Sequence, residues 1–170
     1  MNNILRYGII GVAALVIQLL ICEFANIWPP LYIAVFPLFI LMLPHDMNNA
    51  LLMIVAFISG LLIDALSDGL LGLNATSMTA IAFFKPMFIK SLARIDTFAS
   101  QNITSKHLGF QKFFTFLLLS YTVFFLCYVM LDDLGSGTVT FMIIRILVNI
   151  AANLVIAIIL EKLFFQRLMQ

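Results

Sequence analysis

Long apolar stretches separated by short polar connections run along the whole chain, and their lengths predict transmembrane helices. A helix needs about 20 apolar residues to cross the hydrocarbon core of a bilayer, with roughly 17–25 usual. On this basis we predict six spans, near residues 4–22, 27–43, 47–66, 71–89, 113–131 and 141–160.

The second and fourth stretches reach spanning length with the smallest margin. Pro29, Pro30 and Pro44 bracket the second stretch, which spans if residues from 27 onward count toward its length or the bilayer thins locally. The fourth contains Lys85 followed by Pro86. It spans if the Lys85 ammonium snorkels to the interface and the helix continues past the proline.

The composition, like the pattern of apolar stretches, indicates that the protein lies in a lipid bilayer. Hydrophobic residues make up 64% of the 170 residues, and charged residues make up 10%. Mean hydropathy is +1.14. A soluble domain of this size lacks the interior to bury so much apolar surface. The predicted fold is therefore an all-α integral membrane protein, a bundle of about six transmembrane helices that forms a single polytopic domain over residues 1–170.

The few charges are distributed asymmetrically between the two ends of the predicted helices. Connections on one side contain acidic residues and no Lys or Arg, namely Glu23, Asp68, Asp132 and Asp133. Eight of the nine basic residues fall on the other side, namely Arg6, Lys85, Lys90, Arg94, Lys106, Lys112, Lys162 and Arg167. Because Lys and Arg mark the cytoplasmic side, we expect both termini and the loop at 90–112 in the cytoplasm.

The sequence contains no conventional pattern for catalysis or for metal binding. His45 and His107 are far apart and lack acidic or cysteine neighbours at metal-ligand spacing. No glycine-rich phosphate loop or nucleophile motif occurs. Cys22 and Cys127 lie inside apolar helices, where free cysteine acts as a small hydrophobic residue. We therefore expect no catalytic, cofactor or metal site, and no nucleic-acid partner, because lipid headgroups account for the basic residues.

A first polar cluster lies at the end of the third predicted span. Gly60, Asp64 and Asp68 are spaced by four residues and fall on one helix face. Gly69 and Gly72 follow and permit a tight turn at the outer surface. A carboxylate inside an apolar helix is costly unless it is hydrated or paired. We therefore expect Asp64 to have a structural partner and Asp68 to be solvated.

A second polar cluster forms a stripe on the last predicted helix. Arg145, Asn149 and Asn153 are also spaced by four residues. Amide side chains in such positions typically form interhelical hydrogen bonds worth about 0.6–2 kcal/mol each. Gln18 on the first helix and a polar run on the fourth are expected to line the same interior. The run consists of Asn74, Thr76, Ser77 and Thr79.

The depths of Asp64 and Arg145 in the membrane favour an ion pair between them. Arg145 lies about four residues, or roughly 6 Å, below the outer surface, and Asp64 approaches a similar depth from the other direction. We predict an Asp64–Arg145 ion pair. In the alternative, Arg145 snorkels outward to phosphates or meets Asp132 and Asp133.

A third cluster follows Pro86. Its spacing predicts a short amphipathic helix lying in the cytoplasmic interface, where it anchors the chain to lipid. Its apolar face consists of Phe88, Leu92 and Ile95, and another face has Lys90 and Arg94.

The motif G-x-x-x-D-x-x-S-x-G-x-x-G occupies residues 60–72 and is followed by Asn74 and Ala75. This run resembles the signature of the bacterial rod shape-determining protein MreD family. The chain departs from the usual pattern in having two leucines between Gly69 and Gly72. Looser similarities extend over nearly the whole chain, at Gln18, the proline-rich turn at 28–31, Pro44 and the last helix with Arg145 and its asparagines.

The resemblance implies a non-enzymatic scaffold of the cell-elongation machinery in the bacterial cytoplasmic membrane. Such proteins bind the single-span periplasmic scaffold MreC. They link cytoplasmic MreB filaments to the wall synthases, a SEDS-type glycosyltransferase and a class B transpeptidase. Gly60 is a candidate for close approach of a partner helix. The structural or partner-contact candidates are Gly60, Asp64, Gly69, Gly72, Asn74, Arg145, Asn149 and Asn153.

The alternative is a substrate-binding membrane subunit of an energy-coupling-factor vitamin transporter, a class whose fold the resemblance also implies. The first helix lacks the A-x-x-x-A pattern of those subunits, because Ala13 and Ala14 are followed four residues on by Ile17 and Gln18. The chain also offers one tryptophan and few polar groups for binding a vitamin. A membrane enzyme built on Asp64 and Arg145 ranks lowest, since it lacks a nucleophile or a metal site.

Overall fold

The computed structural model describes residues 3–24, 31–45, 47–67, 70–92, 108–133 and 138–165. Within these ranges the regular elements are all helical, and no strand occurs. The helices are α1 Asn3–Phe24, α2 Phe36–Met42, α3 Asn49–Leu66, α4 Leu73–Leu92, α5 Phe110–Asp132 and α6 Val139–Leu160, with a π-helical turn over Glu161–Phe165.

Four helical segments are long and apolar enough to cross a membrane. They are Leu5–Phe24, Asn49–Leu66, Phe110–Asp132 and Val139–Leu163. The prediction of an all-α membrane protein is confirmed at this level, and the count of six crossings stays a prediction. Helix α4 has the necessary length and continues through Pro86, as expected, but it contains several polar residues in addition to Lys85.

The predicted second span, 27–43, differs most from expectation. Residues 31–35 form no helix or strand, and Val35 already has helical backbone angles as the N-cap of α2. Helix α2 has 7 residues, with Pro37 in its first turn. A helix of that length rises roughly 10 Å, which is a third of the hydrocarbon core. The prediction of a continuous spanning helix is therefore wrong for the described part of this segment.

The extended stretch and α2 together still cover a considerable depth along α4. The Tyr32 hydroxyl bonds to Asn74 near the start of α4, and the Leu43 carbonyl bonds to Lys85 near its end. Eleven helical residues separate Asn74 from Lys85, or roughly 16 Å at 1.5 Å per residue. This broken segment thus runs beside α4 over about half of the hydrocarbon thickness.

The core of the bundle is built around α2, α4 and the aromatic face of α5. All seven residues of α2 are buried, and α2 packs on α1 and α4. Helix α4 packs between α3 and α5, and α5 packs on α6. The buried aromatic side chains of α5 are Phe113, Phe116, Tyr121, Phe124, Phe125 and Tyr128. The outer faces of α1, α3 and α6 expose large apolar side chains, as lipid contact requires.

Candidate functional site

The most unusual feature of the bundle is a non-helical stretch at residues 31–35, which we call the extended segment. Backbone N–H and C=O groups in a bilayer must find protein partners when no helix supplies them. Ala34 and Val35 are 1% and 5% exposed, so water cannot reach the end of the segment next to α2, and residues 31–33 are half-buried. Side chains from three helices supply the hydrogen bonds instead.

Gln18 of α1 binds one end of the extended segment. Its Oε1 accepts hydrogen bonds from the backbone nitrogens of Val35 at 2.7 Å and Phe36 at 3.1 Å. Its Nε2 donates to the Ile33 carbonyl at 2.9 Å. The amide is fully buried. Gln18 therefore acts on the extended segment as a neighbouring peptide group would in a sheet.

The asparagine stripe of α6 binds the other edge of the extended segment. Asn149 Oδ1 accepts from the Tyr32 backbone nitrogen at 2.7 Å, and Asn153 Oδ1 accepts from that of Ala34 at 2.7 Å. Asn153 Nδ2 donates to the Tyr32 carbonyl at 2.8 Å. The Tyr121 hydroxyl of α5 donates to the Ala34 carbonyl at 3.1 Å. The predicted interhelical role of the stripe thus takes the form of side chain to backbone bonds.

Tyr32 connects the extended segment to the first polar cluster. Its hydroxyl donates to Asn74 Oδ1 at 2.8 Å, and Asn74 Nδ2 donates in turn to Asp64 Oδ1 at 2.9 Å. The Tyr32 ring stacks on Tyr128 with centroids 4.6 Å apart. A continuous hydrogen-bonded network therefore joins Gln18, the extended segment, the α6 amides, Asn74 and Asp64. The expectation that Gln18 and Asn74 line one interior is confirmed, and Ser77 is buried as well. Thr79 is half-buried, and the expectation is wrong for Thr76, which is exposed.

Asp64 caps the N-terminus of α4. Its carboxylate accepts from the backbone nitrogens of Gly72 at 3.0 Å, Asn74 at 3.0 Å and Ala75 at 3.1 Å, in addition to the Asn74 side chain. These N–H groups have no partner within the helix, and the positive end of the helix dipole favours an anion. Gly72 has φ +101°, a conformation that favours glycine, and so permits the turn into α4. Gly69 lies outside the described residues.

The predicted Asp64–Arg145 ion pair is wrong, and the alternative interpretation is correct. Arg145 forms ion pairs with Asp132, and with Asp133 at 2.8 Å. The carboxylates lie at the end of α5, so this cluster ties the end of α5 to the first turns of α6. Asp64 does not need the guanidinium because four N–H groups already satisfy its charge.

The fourth predicted span depends on the Lys85 ammonium reaching the interface, and this condition is not met. Its side chain is buried, with the residue 1% exposed. The ammonium donates to the carbonyls of Ile40 at 3.1 Å and Leu43 at 2.8 Å, at the C-terminal end of α2. Those carbonyls have no partner within the short helix and form the negative end of its dipole, which favours a cation.

The amphipathic segment after Pro86 is part of α4 as far as Leu92. Phe88 is 8% exposed and stacks on Phe84 with centroids 5.9 Å apart. This face therefore packs inside the protein, which corrects the prediction that it lies in the lipid interface. Lys90 is exposed as expected, and Arg94 and Ile95 lie outside the described residues.

Sequence reasoning missed Tyr32, Tyr121 and the role of Lys85 in this network. Nothing in the pattern marks either tyrosine, because both lie in apolar stretches like the other aromatic residues. Lys85 did carry a signal, since a lone lysine inside an apolar run requires a buried acceptor whenever it does not reach the interface. The cysteines are free, as expected.

Comparisons of the chain with protein-family models, characterised proteins and solved structures give no significant match. The chemistry of the site therefore has to be inferred from its own geometry. In the described ranges, no group of three or more His, Cys, Asp and Glu residues could hold a metal ion. The arrangement fixes an irregular backbone segment inside a helical bundle.

Proposed function

We propose that this protein is a non-enzymatic scaffold of the bacterial cell-elongation machinery, of the MreD type. In this proposal it lies in the cytoplasmic membrane with both termini in the cytoplasm. The observation that carries the proposal is the run over residues 60–75, which resembles the MreD signature and holds α3 against the start of α4.

Four positions of that run have a structural requirement that supports the resemblance. A Cβ on Gly60 would lie 2.5 Å from the Ala75 Cα, so the position requires glycine for close helix packing. Asp64 caps α4, and Gly72 takes a positive φ. Asn74 accepts a hydrogen bond from the Tyr32 hydroxyl and donates one to Asp64. Every one of these positions would be costly to substitute, as a family signature requires.

The hydrogen bonds of the buried polar side chains favour a binding function over a catalytic one. Gln18, Asn74, Asp64 and the α6 amides bond to the protein's own backbone and to one another. Gly60 contacts Ala75 within the chain, so it no longer serves as a candidate for a partner helix. Partner helices would instead dock on the apolar outer faces, through packing between side chains in lipid.

The proposed partners follow from the resemblance and from the membrane setting. An MreC-like periplasmic scaffold with one transmembrane helix would contact the outer faces. MreB-like filaments would lie on the cytoplasmic side, and the SEDS glycosyltransferase and class B transpeptidase would join directly or through the scaffold. Membrane lipid surrounds the rest.

In vivo photo-crosslinking from lipid-facing positions tests this proposal. A photoreactive residue replaces Val12 on α1, Ile58 on α3 or Leu147 on α6, which are 65%, 53% and 61% exposed. The buried Ala56 serves as the control position, because a probe there cannot reach a partner. We expect at least one lipid-facing position to crosslink to an MreC-like scaffold or a wall synthase, and depletion of the protein to convert rods into spheres.

Two results would contradict the proposal. Crosslinking to a coupling membrane protein that co-purifies with two ATPases would identify a transporter subunit instead. Depletion without a change in cell shape, together with no crosslink to any elongation component, would remove the scaffold function altogether.

A further inference from the structure

A groove of about 340 Å³ lies between α1 and α3 and is lined in its depth by α2. On α1 it extends from Tyr7 to Leu15, and on the α3 side it extends from Met47 to Ser59. Its lining is almost entirely apolar. Ser59 directs its hydroxyl to the Val55 carbonyl of its own helix at 2.7 Å, so the groove presents a hydrocarbon surface.

The dimensions of the groove limit what can occupy it. The rise along α1 from Tyr7 to Leu15, and along α3 from Leu51 to Ser59, is roughly 12 Å. The groove is open along its length, because Val12 and Leu51 in its lining are 65% and 51% exposed. One extended hydrocarbon chain of the surrounding lipid therefore fits along it.

The position of the groove matches one leaflet of a bilayer. It begins at Tyr7, near the start of α1, and ends at Leu15, near the middle of that helix. Half of a hydrocarbon core about 30 Å thick is about 15 Å, close to the groove's length. Arg6 directly precedes Tyr7 at this end of α1, and a guanidinium at a membrane interface can bind a lipid phosphate.

Gly8 leaves part of this space open. A Cβ built at Gly8 would meet nothing within 4 Å, whereas one at Gly11 would meet the Phe39 ring at 2.8 Å. A gap without partner atoms loses the dispersion energy of the side chains that line it. Filling it with a hydrocarbon chain would restore those contacts and pack α1 against α3.

We propose that the groove binds one acyl chain of a phospholipid from the leaflet at the N-terminal end of α1. The bound lipid is then part of the packing between α1 and α3. Removal of the lipid loosens α1 while the network around the extended segment stays in place.

Native mass spectrometry in a mild detergent tests the proposal through a matched pair of variants. Gly8→Phe places a ring in the groove, and Ile9→Phe adds the same ring at a position on α1 that is 55% exposed and does not line the groove. We expect the wild type and Ile9→Phe to retain one phospholipid mass, and Gly8→Phe to lose it by at least about tenfold. Delipidation should lower the Tm of the wild type more than that of Gly8→Phe.

The same experiment can overturn the proposal. Wild-type protein without a retained phospholipid, or with detergent alone in its place, contradicts it. Equal lipid retention by Gly8→Phe and Ile9→Phe places any bound lipid elsewhere and also contradicts it. If Gly8→Phe does not fold, Gly8→Leu and Val12→Phe repeat the comparison, because both positions line the groove.

Discussion

Asn74 donates two hydrogen bonds to Asp64 Oδ1, from its backbone nitrogen at 3.0 Å and from its side-chain nitrogen at 2.9 Å. The second bond orients the Asn74 side chain so that its Oδ1 accepts a hydrogen bond from the Tyr32 hydroxyl at 2.8 Å. The helix cap at Asp64 and the support of the extended segment are therefore coupled through one side chain.

Loss of the Asp64 carboxylate should destabilise the protein strongly. Asp64→Ala leaves the buried nitrogens of Gly72, Asn74 and Ala75 without an acceptor, and we expect a loss of about 2–4 kcal/mol in the free energy of unfolding. Asp64→Asn retains one acceptor oxygen and should lose less. Unfolding in mixed detergent micelles measures both. Thr76→Ala, an exposed change nearby, is the control, and an equal effect there would contradict the assignment.

From the close packing at Gly60 against α4, we predict that even a small side chain there destabilises the protein. Gly60→Ala places a methyl group against the α4 backbone, where nothing can move aside, and should cost about 1–3 kcal/mol. The matched control is Gly8→Ala, whose methyl group meets nothing within 4 Å. Thermal unfolding in detergent compares them. Similar Tm values for the two variants would show that α3 and α4 are not packed as described.

The ion-pair assignment predicts a specific pattern of energetic coupling. Double-mutant cycles should give a coupling energy of about 0.5–3 kcal/mol between Arg145→Met and Asp133→Leu, because the two side chains form an ion pair at 2.8 Å. Arg145→Met and Asp64→Leu should be additive within about 0.5 kcal/mol. A large coupling to Asp64 with none to Asp133 would restore the pairing expected from sequence.

Gln18 should be the most sensitive polar position on α1. Gln18→Leu removes the partners of three buried backbone groups, at Ile33, Val35 and Phe36, and should cost about 2–4 kcal/mol. Ile17→Leu, an exposed change next to it, should stay within about 0.5 kcal/mol. Unfolding in mixed micelles distinguishes them. A negligible effect of Gln18→Leu would mean that the extended segment is held by other contacts.

Lys85 and Lys90 offer a matched pair of lysines on one helix. Lys85→Met preserves much of the apolar stem but leaves the Ile40 and Leu43 carbonyls unpaired, and should cost about 1.5–3 kcal/mol. Lys90→Met removes an exposed charge and should change stability by less than about 0.5 kcal/mol. Hydrogen exchange of α2 provides a second measurement, since faster exchange is expected in Lys85→Met alone. Equal stabilities would place the Lys85 ammonium at the interface after all.

The sequence by itself determined that the protein lies in lipid, that it is helical and that its buried polar side chains need partners. An apolar content of 64% requires lipid, and hydrophobic runs of about 20 residues in lipid must be helices. The rule that a buried carboxylate has a partner gave a structural role to Asp64, and the spacing of four put Asn149 and Asn153 on one face. These conclusions depend on properties that each stretch of chain carries alone.

Only the tertiary structure decided which partners those groups have. The sequence predicts a pair between Asp64 and Arg145 because the two charges lie at similar depths, but this prediction treats backbone groups as already satisfied. The start of α4, the end of α2 and the extended segment all have backbone groups without a partner in a helix, and Asp64, Lys85 and Gln18 bind them. Where backbone groups lack partners depends on where helices begin and end and on what packs beside them, which no local pattern contains.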